Sequence, residues 1–146
     1  MDTRVFFAGG YTEAVSSAIV DIIDVYTRTR TSAKLSQGRF GLAGASLRHI
    51  AMFFGGFTGI SETASNYVDM YNNVTKLWTR VGPSGSGSTL GLSTARGRGA
   101  ATGVGDVIIF AGGRTENNGG FDNVDIYNIV TGTHCRKYSP CSAFVW

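Results

Sequence analysis

Apolar residues recur along this chain in short runs and not at helical spacing. Runs of five to eight residues rich in β-branched and aromatic side chains alternate with clusters of Gly, Ser, Thr and Asn, which is the pattern of strands separated by turns. The sequence therefore predicts an all-β protein. The predicted strands lie near residues 4–8, 19–27, 31–35, 40–46, 50–54, 66–72, 76–81, 98–103, 106–111, 122–129 and 133–138.

Several predicted strands carry apolar residues on both alternation phases. In the second predicted strand, Ile22 and Tyr26 lie on one phase, whereas Ile23 and Val25 lie on the other. A sheet with one solvated face would alternate apolar and polar residues, but strands covered on both faces have nearly continuous apolar runs. The pattern therefore predicts small sheets that stack face to face.

An apolar run that ends in a glycine pair occurs three times, at residues 5–10, 51–56 and 107–113. The glycine pairs lie 46 and then 57 positions apart, and self-similarity near fifty residues indicates stacked supersecondary units. An Asp-x-Tyr phrase follows each pair and ends at Tyr26, Tyr71 and Tyr127.

The unequal spacing has a single source. Residues 35–56 align without a gap on residues 92–113, and a glycine- and serine-rich insertion at residues 82–89 lengthens the second unit. We expect this insertion to be a flexible loop. The chain is therefore predicted to be one repeat domain, residues 1–146, with units at approximately 1–39, 40–96 and 97–146.

Composition sets limits on size and location. A chain of 146 residues with 42% apolar residues is long enough for one domain with a substantial core. Only 16% of the residues are charged, which favours an extracellular or cell-surface protein over a cytoplasmic one. Residues 1–4 run directly into a predicted strand and leave no room for a signal peptide, so we expect either an intracellular protein or a mature or excerpted fragment whose secretion signal is missing. No apolar stretch approaches the roughly 18 residues of a membrane span.

The net charge of +3 does not by itself identify a partner. Residues 96–99 read Arg-Gly-Arg-Gly, but they lack the interleaved aromatic residues of a nucleic-acid site, so nucleic-acid binding is not expected. Cys135 and Cys141 lie six positions apart, and both a disulfide and free thiols remain open. A metal site is not expected there, because His134 is the only nearby imidazole.

The middle unit resembles the kelch repeat. Gly55 and Gly56, followed by Tyr71 and then by Trp78, reproduce the spacing of the double glycine, aromatic residue and tryptophan of that family. The resemblance implies a β-propeller of four-stranded blades, in which large rings fill the wedge between neighbouring blades.

The other units match this pattern less completely. Arg39 and Arg96 lie where the family often has an arginine ahead of the next blade, but the tryptophan column holds Ala33 in the first unit and His134 in the third. The residues to which the repeat assigns a structural role are Gly9, Gly10, Gly55, Gly56, Gly112, Gly113, Tyr26, Tyr71, Tyr127 and Trp78.

Three blades are too few to close a propeller, which has about four to eight. The first unit begins at its second strand, and residues 142–146 fall where the first strand of a fourth unit would start. Two interpretations follow. The chain is a fragment of a larger ring, or it is half of one, in which case two copies form a six-bladed homodimer and exchange their C-terminal strands.

No catalytic constellation is evident. His49 and His134 are the only histidines, and neither has the spacing of a nucleophile–base pair. Asp24, Asp69 and Asp125 recur once per unit, which favours a local structural role over a shared cation site. We therefore predict no enzyme activity, no catalytic residue, no metal and no cofactor.

The predicted function is a non-catalytic protein-interaction or self-assembly scaffold. Loops at residues 11–17, 58–66 and 114–121 each follow a glycine pair, so we expect them on one face, where they would contact another protein or another copy. The polar candidates for this contact are Gly59, Glu62, Glu116, Asn117 and Asn118.

Two alternatives use other features of the sequence. A glycan-binding module of a surface protein would use Trp78 or Trp146 as a stacking platform. A structural subunit of a polymer would grow through its unpaired sheet faces.

Overall fold

The structure, a computed structural model, describes residues 3–13, 15–81, 91–117, 119–137 and 139–143. Within these ranges the chain forms strands and turns and no helix, which confirms the predicted all-β class. The strands form separate antiparallel sheets, and over the same ranges no closed barrel is present. The insertion at residues 82–89 lies outside the described residues.

Three main sheets follow one another along the chain. The first contains β1 (Arg4–Ala8), β4 (Ile19–Asp24) and β5 (Thr29–Lys34), in the order β1-β4-β5. The second contains β6 (Ala43–Leu47), β7 (Ile50–Phe54), β10 (Val68–Asn72) and β11 (Leu77–Val81), in that order. The third contains β12 (Ala100–Val104), β13 (Val107–Ala111), β14 (Val124–Asn128), β15 (Thr133–Arg136) and β16 (Ser139–Ala143), in that order.

Two small hairpins lie in the loops after the first two glycine pairs. They pair β2 (Tyr11–Thr12) with β3 (Val15–Ser16), and β8 (Phe57–Thr58) with β9 (Thr63–Ala64). Because each hairpin starts directly after a glycine pair, the chain leaves the main sheet there and returns to it at β4 or β10. The two hairpins overlap the segments predicted as loops, residues 11–17 and 58–66.

The second sheet is buried on both faces, because one apolar cluster lies on each side of it. All five residues of β7 are buried, as expected for a strand covered on both sides. The cluster shared with the first sheet contains Val20, Ile22, Leu35, Ala51, Phe53 and Tyr71. The cluster shared with the third contains Ile50, Met52, Phe54, Val68, Met70, Leu92, Ile108, Phe110, Tyr127 and Ile129.

Strand register shows which positions correspond between the sheets. In each sheet a phenylalanine two positions before the glycine pair lies opposite an aspartate on the neighbouring strand: Phe7 with Asp21, Phe53 with Asp69, and Phe110 with Asp125. The first-sheet counterpart of Asp69 is therefore Asp21, and the predicted assignment of Asp24 is wrong.

Asp24 has a different role, in a turn. Its Oδ1 accepts hydrogen bonds from the backbone N–H groups of Tyr26 and Thr27, each at 3.0 Å. Asn72 and Asn128 accept the equivalent bonds in the other two sheets. All three side chains thus close the same hairpin turn.

Two further assignments for the first unit are corrected by the register. Ile23 holds the position of Tyr71 and Tyr127, whereas Tyr26 lies in the turn with 85% of its surface exposed. The cross-strand partners that define the tryptophan column are Ile23 with Arg30, Tyr71 with Trp78, and Tyr127 with His134. The first-unit residue of this column is therefore Arg30 and not Ala33.

The C-terminal strand pairs within the third sheet. Cys135 and Cys141 form a disulfide, and β16 pairs with β15 as the fifth strand of the third sheet. Ser142 and Ala143, which the sequence analysis assigned to a strand for exchange, lie opposite His134 and Thr133. Residues 144–146 lie outside the described ranges.

Candidate protein interface

A buried arginine joins the first sheet to the second. Arg39 is fully buried, and its Nη1 donates to the carbonyl oxygens of Gly55 and Tyr67, both at 2.7 Å. Its Nη2 donates to the carboxylate of Asp69. Burial lowers the pKa of Arg39, and the charge of Asp69 offsets part of that change. A buried guanidinium is tolerated here because it is paired and hydrogen-bonded.

Arg96 joins the second sheet to the third in the same manner. Its Nη2 donates to Asp125 at 2.7 Å, and its Nε donates to the carbonyl of Gly112 at 2.8 Å. The guanidinium carbon lies 4.6 Å from the centre of the Phe110 ring, a cation–π distance. His134 completes the group, because its Nε2 lies 2.8 Å from the other oxygen of Asp125.

Opposing influences act on the acidity of Asp125. Burial raises its pKa, but hydrogen bonds from His134, Arg96 and Ser93, together with the charge of Arg96, outweigh burial and hold the pKa below its ordinary value. The carboxylate is therefore charged at neutral pH. His134 also stacks on Tyr127, with ring centres 4.2 Å apart, so it fills the space that Trp78 fills in the second sheet.

We call the two segments that carry Arg39 and Arg96 the arginine straps. Their backbone carbonyls explain why glycine occurs in the glycine pairs. The N–H of Gly10 donates to the carbonyl of Arg39, and that of Gly56 to the carbonyl of Arg96, each at 3.0 Å. A Cβ at Gly55 would lie 2.1 Å from the Arg96 carbonyl oxygen, so only glycine allows this approach. At Gly112 the nearest such atom is 3.8 Å away, because no strap follows the third sheet within the described residues.

The first and third sheets each have an apolar outer face that is not covered by another of the described sheets. The equivalent positions in the second sheet are buried. Phe7 is 60% exposed on the first sheet, whereas its counterpart Phe53 is only 5% exposed. Val5 and Ile19 are also exposed on that face of the first sheet. The outer face of the third sheet carries half-buried Ile109, Ala111, Val124 and Ile126. Their counterparts in the second sheet are the buried residues Met52, Phe54, Val68 and Met70.

The three loops after the glycine pairs contact one another in chain order. The N–H of Gly59 donates to Ser16 Oγ at 2.9 Å, which joins the first loop to the second. The N–H of Ala64 donates to a carboxylate oxygen of Glu116 at 3.3 Å, which joins the second loop to the third. The structure therefore brings the three loops together on one side of the molecule.

Most of the predicted polar loop residues hold the loops to one another. Gly59 and Glu116 make the contacts just described, and Glu62 accepts a hydrogen bond from Arg114 Nη2 at 3.2 Å. Asn117 is exposed, and Asn118 lies outside the described residues. Three of the five candidates thus brace this loop face and do not project freely from it.

Sequence reasoning missed the exposed apolar side chains of the same loops. Val15 is 66% exposed and Ile60 is 73% exposed, and Tyr11 also reaches solvent. A β-branched residue at the tip of a polar loop has no core to enter, and that signal was available in the sequence. These side chains are better candidates for contact with a partner than the braced carboxylates.

The glycan-binding alternative depends on a tryptophan as a stacking platform, and Trp78 is half-buried. Trp78 packs against Phe53 and Tyr71, with ring centres 5.9 and 5.1 Å apart. Trp146 lies outside the described residues. Over the described ranges, no group of three or more His, Cys, Asp or Glu side chains is arranged to hold a metal ion. No helix in the same ranges is long and apolar enough to cross a membrane.

Comparison with protein families and with curated proteins gives no role to transfer to this chain. No protein-family model matches the chain, and no curated protein matches it. Three features of the geometry remain as the basis for a function: the buried arginine straps, the two apolar outer faces and the braced loop face.

Proposed function

We propose that the protein is a non-catalytic self-assembly and protein-interaction scaffold built from three kelch-like blades. One observation carries this proposal: Phe7 is 60% exposed at the position where Phe53 is 5% exposed. The first sheet thus presents a face of the kind that elsewhere in the chain is covered by another sheet. Contiguous apolar surface of this type marks an interaction site.

The outer faces of the first and third sheets correspond to the two kinds of face that meet wherever one sheet stacks on the next in this chain. Within the chain, the face of the second sheet that carries Met52 and Phe54 covers the face of the third that carries Phe110. In the third sheet, Ile109 and Ala111 correspond to Met52 and Phe54. Stacking the third sheet of one copy on the first sheet of another therefore repeats a joint that the chain already forms twice.

Two copies joined in this way at both ends supply six sheets, within the range of closed propellers. The proposed state is a homodimer with a six-bladed ring, because a closed cyclic assembly leaves neither outer face exposed. Since β16 is paired with β15 in its own chain, stacked faces and not an exchanged strand hold this dimer together. If the rotation between copies does not close the ring, the same contact generates the alternative polymer.

The solution mass tests this proposal. We expect the wild type to be a dimer by light scattering and the Ile109→Arg variant to be a monomer, because residue 109 lies between Thr102 and Ile126 on the stacking face, where a buried unpaired charge is strongly unfavourable. Val74→Arg is the matched control, since Val74 is exposed in the β10–β11 turn, away from both outer faces. A wild type that stays monomeric, or an Ile109→Arg variant that stays dimeric, contradicts the proposal.

The loop face supplies a second interaction surface. It is favoured by exposed Val15 and Ile60 on loops that contact one another, because a braced surface loses little conformational entropy on binding. Ile60→Arg separates the two surfaces. We expect this variant to retain the wild-type mass, and a change in mass would assign the loop face to self-assembly instead of partner binding.

A further inference from the structure

Both buried arginines belong to the same short sequence pattern. Arg39 ends Leu35-Ser36-x-x-Arg39, and Arg96 ends Leu92-Ser93-x-x-Arg96. In each segment the leucine is buried, and the serine N–H donates to the aspartate oxygen Oδ1, at 2.9 Å in Ser36 and 3.0 Å in Ser93. The guanidinium binds the other oxygen of the same aspartate. Each Leu-Ser-x-x-Arg segment thus binds to a site on the adjacent sheet that consists of an aspartate carboxylate and nearby backbone carbonyl oxygens. We call this site the arginine socket.

The first sheet contains the parts of such a socket. Asp21 lies opposite Phe7, as Asp69 lies opposite Phe53. The N–H of Gly9 donates to the carbonyl of Ile19 at 2.9 Å, which matches the 2.9 Å bond from Gly55 to Tyr67 in the second sheet. The backbone that presents carbonyl oxygens to Arg39 therefore recurs in the first sheet, beside Asp21.

The surface at this position is open. A shallow cavity of about 530 Å³ is lined in part by Phe7, Gly9, Ser17, Ile19, Asp21 and Arg30. No Leu-Ser-x-x-Arg segment lies in it among the described residues. Exposed Phe7 offers a ring face at the position where Phe110 carries the guanidinium of Arg96.

Arg30 is the present partner of Asp21. Its Nε and Nη2 donate to Asp21 Oδ1 at 3.0 and 2.8 Å, and its side chain is 69% exposed. Arg39 and Arg96, in contrast, are completely buried. An exposed ion pair contributes little stability, so a ligand that also buries apolar surface can displace Arg30 from the carboxylate.

We infer that the first sheet binds an arginine side chain of another polypeptide, presented in a Leu-Ser-x-x-Arg segment. The guanidinium pairs with Asp21 and stacks on Phe7, and the serine N–H occupies the second carboxylate oxygen. The donor is a different protein and not a second copy, because both such segments of this chain are buried in its own joints. This inference does not rest on the proposed dimer.

A labelled peptide tests the site directly. The probe is the chain's own segment of residues 34–40, Lys-Leu-Ser-Gln-Gly-Arg-Phe, followed by fluorescence anisotropy. We expect saturable binding to the wild type and several-fold tighter binding to Arg30→Ala, which frees Asp21. Asp21→Asn should weaken binding at least about tenfold, because it removes the charge-assisted pair. Asp106→Asn, at an exposed carboxylate of the β12–β13 turn, should leave binding unchanged.

The peptide itself provides a second control. Replacing its arginine by lysine should weaken binding, because a lysine ammonium has neither the planar fork nor the stacking face of guanidinium. Equal affinity of the two peptides overturns the inference. So does the absence of saturable binding to Arg30→Ala, or equal affinity for the wild type and Asp21→Asn.

The Ile109→Arg variant separates failure of the socket from failure of the dimer. It removes the proposed stacking face of the third sheet and leaves Asp21 and Phe7 unchanged. We expect it to bind the peptide as the wild type does.

Discussion

The first and second sheets place the same side chains at the same register positions and give them opposite environments. Phe7 and Phe53 each lie opposite an aspartate two positions before a glycine pair, but one ring is exposed and the other buried. Asp69 meets a buried arginine delivered by the preceding segment, whereas Asp21 meets an exposed arginine of its own sheet. The neighbouring sheet, and not the local sequence, therefore decides whether these positions form core or surface.

The same comparison separates two classes of ion pair. A buried pair has lost its hydration, so removal of one partner leaves a charge that the interior cannot solvate. An exposed pair retains most of its hydration and is replaced by water at little cost. Arg96 and Arg30 make this contrast within one chain, since both are bonded to an aspartate at equivalent positions.

The largest expected effect comes from removing the buried arginine. We expect Arg96→Ala to lower the free energy of unfolding by about 3 to 5 kcal/mol, because Asp125 would remain buried with its main cationic partner gone. Arg30→Ala should change stability by less than about 1 kcal/mol. Urea titrations followed by tryptophan fluorescence measure both values, and equal losses would mean that the two pairs do not differ as their burial indicates.

A smaller effect is expected when the two equivalent aromatic rings are truncated. We expect Phe53→Ala to cost about 3 kcal/mol, because it leaves a cavity between the first two sheets beside Phe6 and Trp78. Phe7→Ala should change the stability of the isolated chain by less than about 0.5 kcal/mol. Urea unfolding at low protein concentration, where self-association does not contribute, compares the two. A large loss in Phe7→Ala under those conditions would show that its ring already packs within one chain.

Much of the fold could be predicted from the sequence because its main signals are local. Runs of β-branched and aromatic residues located the strands of the main sheets, and two-sided apolar patterning indicated covered faces. The glycine pairs were found for a related reason, since the approach of the Arg96 carbonyl to Gly55 leaves no room for a side chain. The small hairpins escaped notice because two-residue strands leave no period to detect.

The wrong assignments are concentrated in the first unit. There the predicted Asp-x-Tyr phrase lies three residues after the positions that are equivalent to Asp69 and Tyr71. Asp24 and Tyr26 imitate the Asp-x-Tyr of the other units, but the cross-strand pairs place Asp21 and Ile23 at those positions. The turn that follows is the same in all three units, since Arg28, Lys76 and Gly132 have φ values of 57°, 61° and 63°. The true counterparts, Ile23 and Arg30, differ from the tyrosine and tryptophan of the second sheet, and they lie on a face that no sheet of the described residues covers.

The candidate sites were less predictable, because they depend on contacts between units. Arg39 and Asp69 were each recognised as recurring residues, but their pairing across 30 positions has no signature in either local pattern. The same holds for Glu62, whose partner Arg114 lies 52 positions away. Long-range pairs of this kind become visible only when register and stacking are both known.

The smallest expected effect is the pH dependence that comes from the buried aspartate. The pKa of Asp125 is held below its ordinary value, whereas an unfolded aspartate titrates near about 3.9. As the pH falls, the unfolded chain therefore takes up this proton first, so the stability supplied by Asp125 is complete above about pH 5 and declines as the pH falls through the folded-state pKa. The effect should be modest, because burial opposes the hydrogen bonds that lower this pKa.

Asparagine at position 125 isolates this contribution, because it keeps the shape of the side chain and does not titrate. At pH 7 we expect Asp125→Asn to be less stable than the wild type, since it weakens the bonds to Arg96 and His134. Below about pH 4 the difference should shrink, because the wild-type carboxylate also begins to lose its charge. Urea midpoints of the two proteins at pH 7, 4 and 2.5 measure the difference. A gap that stays constant over this range would mean that the charge on Asp125 does not stabilise the joint between the second and third sheets.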